Sequence, residues 1–257
     1  MVLALELFAA AFVASVFGSM VGLGGGFILV PILRLFFGLA PAEAAGTSLV
    51  LVTANSASGA FTYLLHKRVD VKLGLMFALG GLPGSIIGAI LTKHIAPRYF
   101  DWAFGIFLIL VAGDMIVNAA KRVSGRIETH VGIHKAMSFR VAVGIGFVVG
   151  LVSSLFGIGG GVIVVPSLLY FSSLPAHAIS ATSHFAIVLT SPVGLVVHGL
   201  QHDIRIADVL PLVAGGLCGG PIGARLSLRL KSPQLLIVVG IALVCVALSL
   251  ALRHLIH

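Results

Sequence analysis

The chain has 257 residues, 59% hydrophobic and 9% charged, with a mean hydropathy of +1.17 and a formal net charge of +8. Soluble domains carry about 25% charged residues, so this chain lacks the charge to cover a water-facing surface. A soluble enzyme, a nucleic-acid binder and a disordered regulator all fit poorly. The sixteen Lys and Arg residues sit in short clusters between apolar runs, as membrane topology signals do.

Met1 to Glu6 has no basic region of the kind that opens a secretory signal, so the N-terminus is expected to be retained. The first apolar segment, 3–39, has 37 residues. As one helix it would be about 55 Å long, against a hydrocarbon core of about 30 Å. It must therefore break, and Gly22-Leu23-Gly24-Gly25-Gly26 lies at its middle. A broken helix exposes backbone N–H groups and a positive dipole end that suit an anion. Gly24, Gly25 and Gly26 are thus candidate substrate-binding residues, close helix packing being the alternative. Arg34 follows near the span end, either to attract an anion or to snorkel.

Segments 44–65, 71–92 and 99–119 are each about one bilayer long. Thr47 and Ser48 open the first of them, as helix caps or as ligands of an oxyanion. Ser56, beside Asn55 and Ser58, is a further polar candidate, or interhelix glue. Gly80, Gly84 and Gly88 fall on one helix face and predict close packing. A basic linker, 121–137, leads to segment 138–173, again too long for one pass and interrupted by Gly157-Ile158-Gly159-Gly160-Gly161. Segment 178–200 carries Thr182, Ser183, His184, Ser191 and His198. Segment 206–228 carries Gly215, Gly219, Gly223 and Cys218, and segment 233–252 carries Cys245. Two cysteines within apolar runs form neither a disulfide framework nor a zinc pattern.

The second set repeats the first at an offset of 135 residues. Val30-Pro31 falls on Val165-Pro166, Thr47-Ser48 on Thr182-Ser183, and Ser56 on Ser191, with one slipped residue near Pro41 and Pro175. The chain is therefore read as an all-α polytopic membrane protein of two homologous repeats, 1–120 and 138–257. Each repeat holds a glycine-broken hairpin and three transmembrane helices. Five elements per half is an odd number, so the repeats are expected to be inverted. Eleven of the sixteen Lys and Arg residues then lie on one side, against ten with eight single passes, a difference too small to choose between them. The inverted reading puts loop 120–138 in the cytoplasm and both termini outside.

Ionisable groups within spans point to function. His184 and His198 are candidates for proton coupling, or structural histidines. No nucleophile elbow, zinc motif or phosphate loop is present, so no catalytic residue, metal ligand or cofactor is expected. Gly24–Gly26 and Gly159–Gly161, with Thr47, Ser48, Ser56, Thr182, Ser183 and Ser191, form the candidate substrate set. A passive anion channel and an intramembrane hydrolase are the rival functions.

Gly22–Gly26 with Val30-Pro31 and Ala45-Gly46-Thr47-Ser48-Leu49 resembles the first-half signature of the TauE/SafE sulfite exporter-like permeases. Gly157–Gly161, Val165-Pro166 and Ala181-Thr182-Ser183 resemble the second. The resemblance covers essentially the whole chain. It implies a bacterial inner-membrane permease for small sulfur-containing anions such as sulfite, thiosulfate or organosulfonates, without fixing which anion or which direction. The expected partners are that anion and the lipid bilayer, with no nucleic acid, and a homo-oligomer is left open.

Overall fold

Proline and glycine set most of the element boundaries. The computed structural model describes residues 2–123, 137–172 and 174–228 and Val244. Most of linker 121–137 and of segment 233–252, with Cys245, lies outside the described residues. Within them run α1 (Val2–Val21), α2 (Gly26–Leu35), α3 (Pro41–Leu65), α4 (Val71–Thr92), α5 (Pro97–Val123), α6 (Phe139–Phe156), α7 (Gly161–Phe171), α8 (Ala176–Leu200) and α9 (Ile206–Ser227), with no strand among them. Pro41 and Pro97 start their helices at the position where a missing N–H costs nothing. Asp70 caps α4 by accepting from the Leu73 N–H at 3.0 Å.

Six of these helices, α1, α3, α4, α6, α8 and α9, are long and apolar enough to cross a bilayer. The chain is a multi-pass membrane protein. Its exposed side chains agree: Leu79, Ile86, Leu110, Val196 and Leu210 are apolar and face outward, where lipid rather than water suits them.

The two over-long segments break where expected. α1 ends at Val21 and α2 begins at Gly26, while α6 ends at Phe156 and α7 begins at Gly161. Gly22, Gly24 and Gly25 have φ of 89°, 86° and 85°, and Gly157, Gly159 and Gly160 have 72°, 87° and 72°. Side chains resist that left-handed region, so six glycines carry two reversals. The 135-residue offset recurs in the element bounds, from Val21 to Phe156, Gly26 to Gly161, Leu65 to Leu200, Val71 to Ile206 and Thr92 to Ser227. It even relates the only two non-glycine residues with positive φ among those described, Lys67 and His202.

Packing crosses between the halves. α4 lies along α6, with Gly80 against Val143, Gly84 against Phe147 and Gly88 against Leu151. α9 lies along α1, with Gly215 against Ala11, Gly219 against Ser15 and Gly223 against Val16. A Cβ at any of these six glycines would strike the facing helix, which is why both stripes lack side chains. Residue numbers rise together in each pair, so both pairs run in the same direction. α3 and its counterpart α8 run in opposite directions, for Leu49 meets Gly194, Thr53 meets Ser191, and Gly59 meets His184.

Candidate functional site

The two glycine breaks abut at the centre of the molecule. A Cβ at Gly26 would strike the carbonyl oxygen of Gly157, and one at Gly161 the carbonyl oxygen of Gly22. The contact is reciprocal at the 135-residue offset, and the tips of both hairpins are buried. Val52 and Ile187, a further pair at that offset, fill the space beside them. The Cβ position of Gly24 lies 3.4 Å from Val52 Cγ1 and 3.7 Å from Ile187 Cδ1. Of the first N–H groups of α2 and α7, Gly161 donates to the Gly159 carbonyl at 2.9 Å, and Ile28 and Ile163 donate to the Gly25 and Gly160 carbonyls at 3.2 and 3.0 Å. That leaves those of Gly26, Phe27 and Val162 in this buried centre without a bond inside their own helices. This conformation is closed over them.

Polar side chains hold the tips in place. Asn55 donates from Nδ2 to the Gly24 carbonyl at 3.0 Å and accepts from Ser19 Oγ at 2.8 Å. His184 Nε2 meets the same Ser19 Oγ at 3.1 Å, while Nδ1–H donates to the Ser180 carbonyl at 3.2 Å. Ser183 donates to the Gly22 carbonyl at 2.6 Å. Its counterpart Ser48 is fully buried yet has no hydrogen-bond partner, and the same holds for Ser56. Burying a hydroxyl unpaired costs about 1–3 kcal/mol, so such groups are candidates to meet a bound ligand.

Thr47 and Thr182 are engaged elsewhere. Thr47 Oγ1 accepts from the Arg205 N–H at 3.0 Å, and Thr182 Oγ1 accepts from the Asp70 N–H at 2.9 Å. Each hydroxyl caps the entrance of a helix of the other half, not of its own. Ser191 accepts from Thr53 at 3.2 Å. Arg34 lies apart from the tips and forms a two-pronged pair with Asp101, its Nε donating to Oδ1 at 2.9 Å and its Nη2 to Oδ2. Both residues are buried, so the guanidinium charge is compensated within α2 and α5. His198 stands at the far end of α8, near Ser154, Asp203 and Lys93.

The structure thus brings Gly24–Gly26, Gly159–Gly161, Ser183 and Asn55 to one centre, and keeps Arg34 and His198 away from it. Ser15, Ser19, Tyr63 and Ser154 escaped the sequence reading. Tyr63 OH donates to the Ser19 carbonyl at 2.9 Å, across 44 residues of sequence. A lone serine in an apolar helix carries no local signal of such a partner.

Residues 7–250 match the family described as sulfite exporter TauE/SafE. The chain is 34% identical to the probable membrane transporter protein YunE of Bacillus subtilis, over 93% of each chain. It is 25% identical to a probable membrane transporter protein of Xylella fastidiosa, covering 91% of this chain and 90% of the other. It is 28% identical to one of Methanocaldococcus jannaschii, covering 90% and 91%. No solved structure matches.

Proposed function

The chain belongs to the TauE/SafE family of membrane transporters, and from that premise we propose that it carries small sulfur-containing anions, such as sulfite, thiosulfate or organosulfonates, across the bacterial inner membrane. The observation that carries this reading is the reciprocal meeting of the two glycine breaks. It brings two helix N-termini to one buried point, where backbone N–H groups and positive dipole ends favour an oxyanion. Ser48 and Ser56 supply unpaired hydroxyls on α3. The site holds its anion with backbone and hydroxyl groups, because Arg34 is already matched by Asp101. Such a site binds modestly and releases readily, as transport requires.

The antiparallel run of α3 against α8, together with the matched seams α4–α6 and α9–α1, supports two inverted repeats. Alternating access then follows from rocking one repeat against the other about the hairpin tips. Val52 and Ile187 must part for an anion to reach the N–H groups.

Uptake of radiolabelled sulfite, thiosulfate and a set of sulfonates into proteoliposomes tests the reading. Saturable uptake with counterflow is the expected result. Ohmic flux would make the protein a channel, and hydrolysis of a peptide or ester without flux would make it an enzyme.

A further inference from the structure

We propose that His198 and Asp203 bind a proton, exchanged with water on the Lys93 side of the bundle, which travels with the transported anion. The pair is buried, with His198 0% and Asp203 5% exposed. His198 Nε2–H donates to the Ser154 carbonyl at 2.9 Å, and a carbonyl cannot donate, so that bond fixes the proton on Nε2. The neutral ring then turns the lone pair of Nδ1 toward Asp203 Oδ2, 3.5 Å away. Neither atom has a hydrogen-bond partner. Two acceptors facing one another in a buried site need a proton between them.

The second copy within the chain acts as an internal control. The counterpart of His198 at the 135-residue offset is Tyr63, which donates to the Ser19 carbonyl at 2.9 Å, the counterpart of the Ser154 bond. A phenol therefore suffices for that hydrogen bond. The imidazole adds a second nitrogen, and it is aimed at a carboxylate. The counterpart of Asp203 is Arg68, which turns to His177 at 3.0 Å in an exposed position. Among the described residues, the first half has no such pair.

Among the described residues, the groups packed around the pair are few. α4 contributes Lys93, whose Nζ lies 3.6 Å from Asp203 Oδ1 and donates to the Gln201 carbonyl at 2.6 Å. Lys93 is about half exposed and links the pair to water. Arg205, the residue before α9, faces Asp208 at 3.5 Å instead. α6 contributes the Ser154 carbonyl. α3 contributes Gly46, where a Cβ would strike the Asp203 carbonyl oxygen. The next two residues along α3 are Thr47 and Ser48. The pair thus sits directly behind the helix that carries the unpaired Ser48 hydroxyl. Without its proton the pair bears one negative charge, offset by Lys93; with it, the local charge rises by one and favours an incoming anion. Proton and anion therefore favour each other's binding reciprocally. This coupling rests on the reading of the hairpin centre as an anion site, whereas the proton site does not.

Two measurements test it. In proteoliposomes with labelled sulfite or thiosulfate, an acid outer medium should speed net uptake about tenfold, within the usual span of coupling. His198→Tyr, which keeps the donor seen at position 63, should abolish that stimulation while counterflow stays within about twofold of the wild-type rate. Retained stimulation in His198→Tyr overturns the proposal. Separately, the imidazole signal that vanishes from the NMR spectrum in His198→Tyr should titrate about one pH unit or more away from its wild-type position in Asp203→Asn. An unmoved titration also overturns it. If neither anion is transported but the titration moves, the proton site stands and the sulfur-anion reading falls.

Discussion

Gly26 and Gly161 have no room to become anything else. A methyl at either would push backbone against backbone across the two hairpins. Gly26→Ala should cost about 1–3 kcal/mol as overpacking and lower the thermal midpoint in detergent, with transport falling further than stability because the tips are displaced. Gly113→Ala is the contrast, since a Cβ there meets nothing within 4 Å. In a helix interior it should leave stability unchanged or raise it by up to about 1 kcal/mol. Asn55→Leu deprives the Gly24 carbonyl of its side-chain donor, while the Ser19 hydroxyl keeps His184 Nε2 as a partner. About 1–3 kcal/mol should be lost for the carbonyl left unsatisfied, measurable as a lower unfolding midpoint. The glycine reversals are legible in the sequence, because a 37-residue apolar run cannot fit the bilayer unbroken. The Asn55–Ser19–His184 chain is not, because each partner comes from a different helix and no spacing rule connects them.

Between elements, the buried Arg34–Asp101 pair joins the short return helix α2 to the start of α5. Charge removal is severe when it leaves the partner behind. Arg34→Leu or Asp101→Leu alone should cost about 3–5 kcal/mol, whereas the double variant should recover most of it. A double-mutant cycle on unfolding midpoints checks this, and equal losses in single and double variants would remove the pair's role. In the sequence Arg34 reads equally well as an anion attractor or a snorkelling side chain. What decides is Asp101, 67 residues further on, which only the three-dimensional fold brings alongside. The two glycine stripes are the opposite case. Their spacing alone predicts close packing, and the structure supplies only the identity of the partner, a helix from the other half each time.

For the molecule as a whole, the proposed inversion makes a prediction about sidedness. Lys67 follows α3 and His94 follows α4, so they end on opposite faces. In a variant with Cys218 and Cys245 replaced, a cysteine at position 67 should react with an impermeant maleimide only from the cytoplasmic side. One at position 94 should react only from outside. Labelling of both from one side would contradict the arrangement. The 135-residue offset on which it rests is legible in the sequence and recurs in the element bounds, which keep it even where the prolines slip by one residue, α3 opening at Pro41 and α8 at Ala176. Which helix pairs with which is not legible there, since like stripes of glycine do not say whether they meet each other or a distant wall.

The seam between α1 and α9 has a consequence for how the protein is made. α1 leaves the ribosome well before α9, and the surface that fills its groove, Gly215 to Gly223, is synthesised about 205 residues after the residues it faces. At about 5–20 residues per second, α1 waits roughly 10–40 seconds in the membrane for its partner. During that interval lipid or an insertion chaperone must cover Ala11, Ser15 and Val16. A nascent chain stalled before α9 therefore offers this strip to cross-linkers, and the finished protein does not.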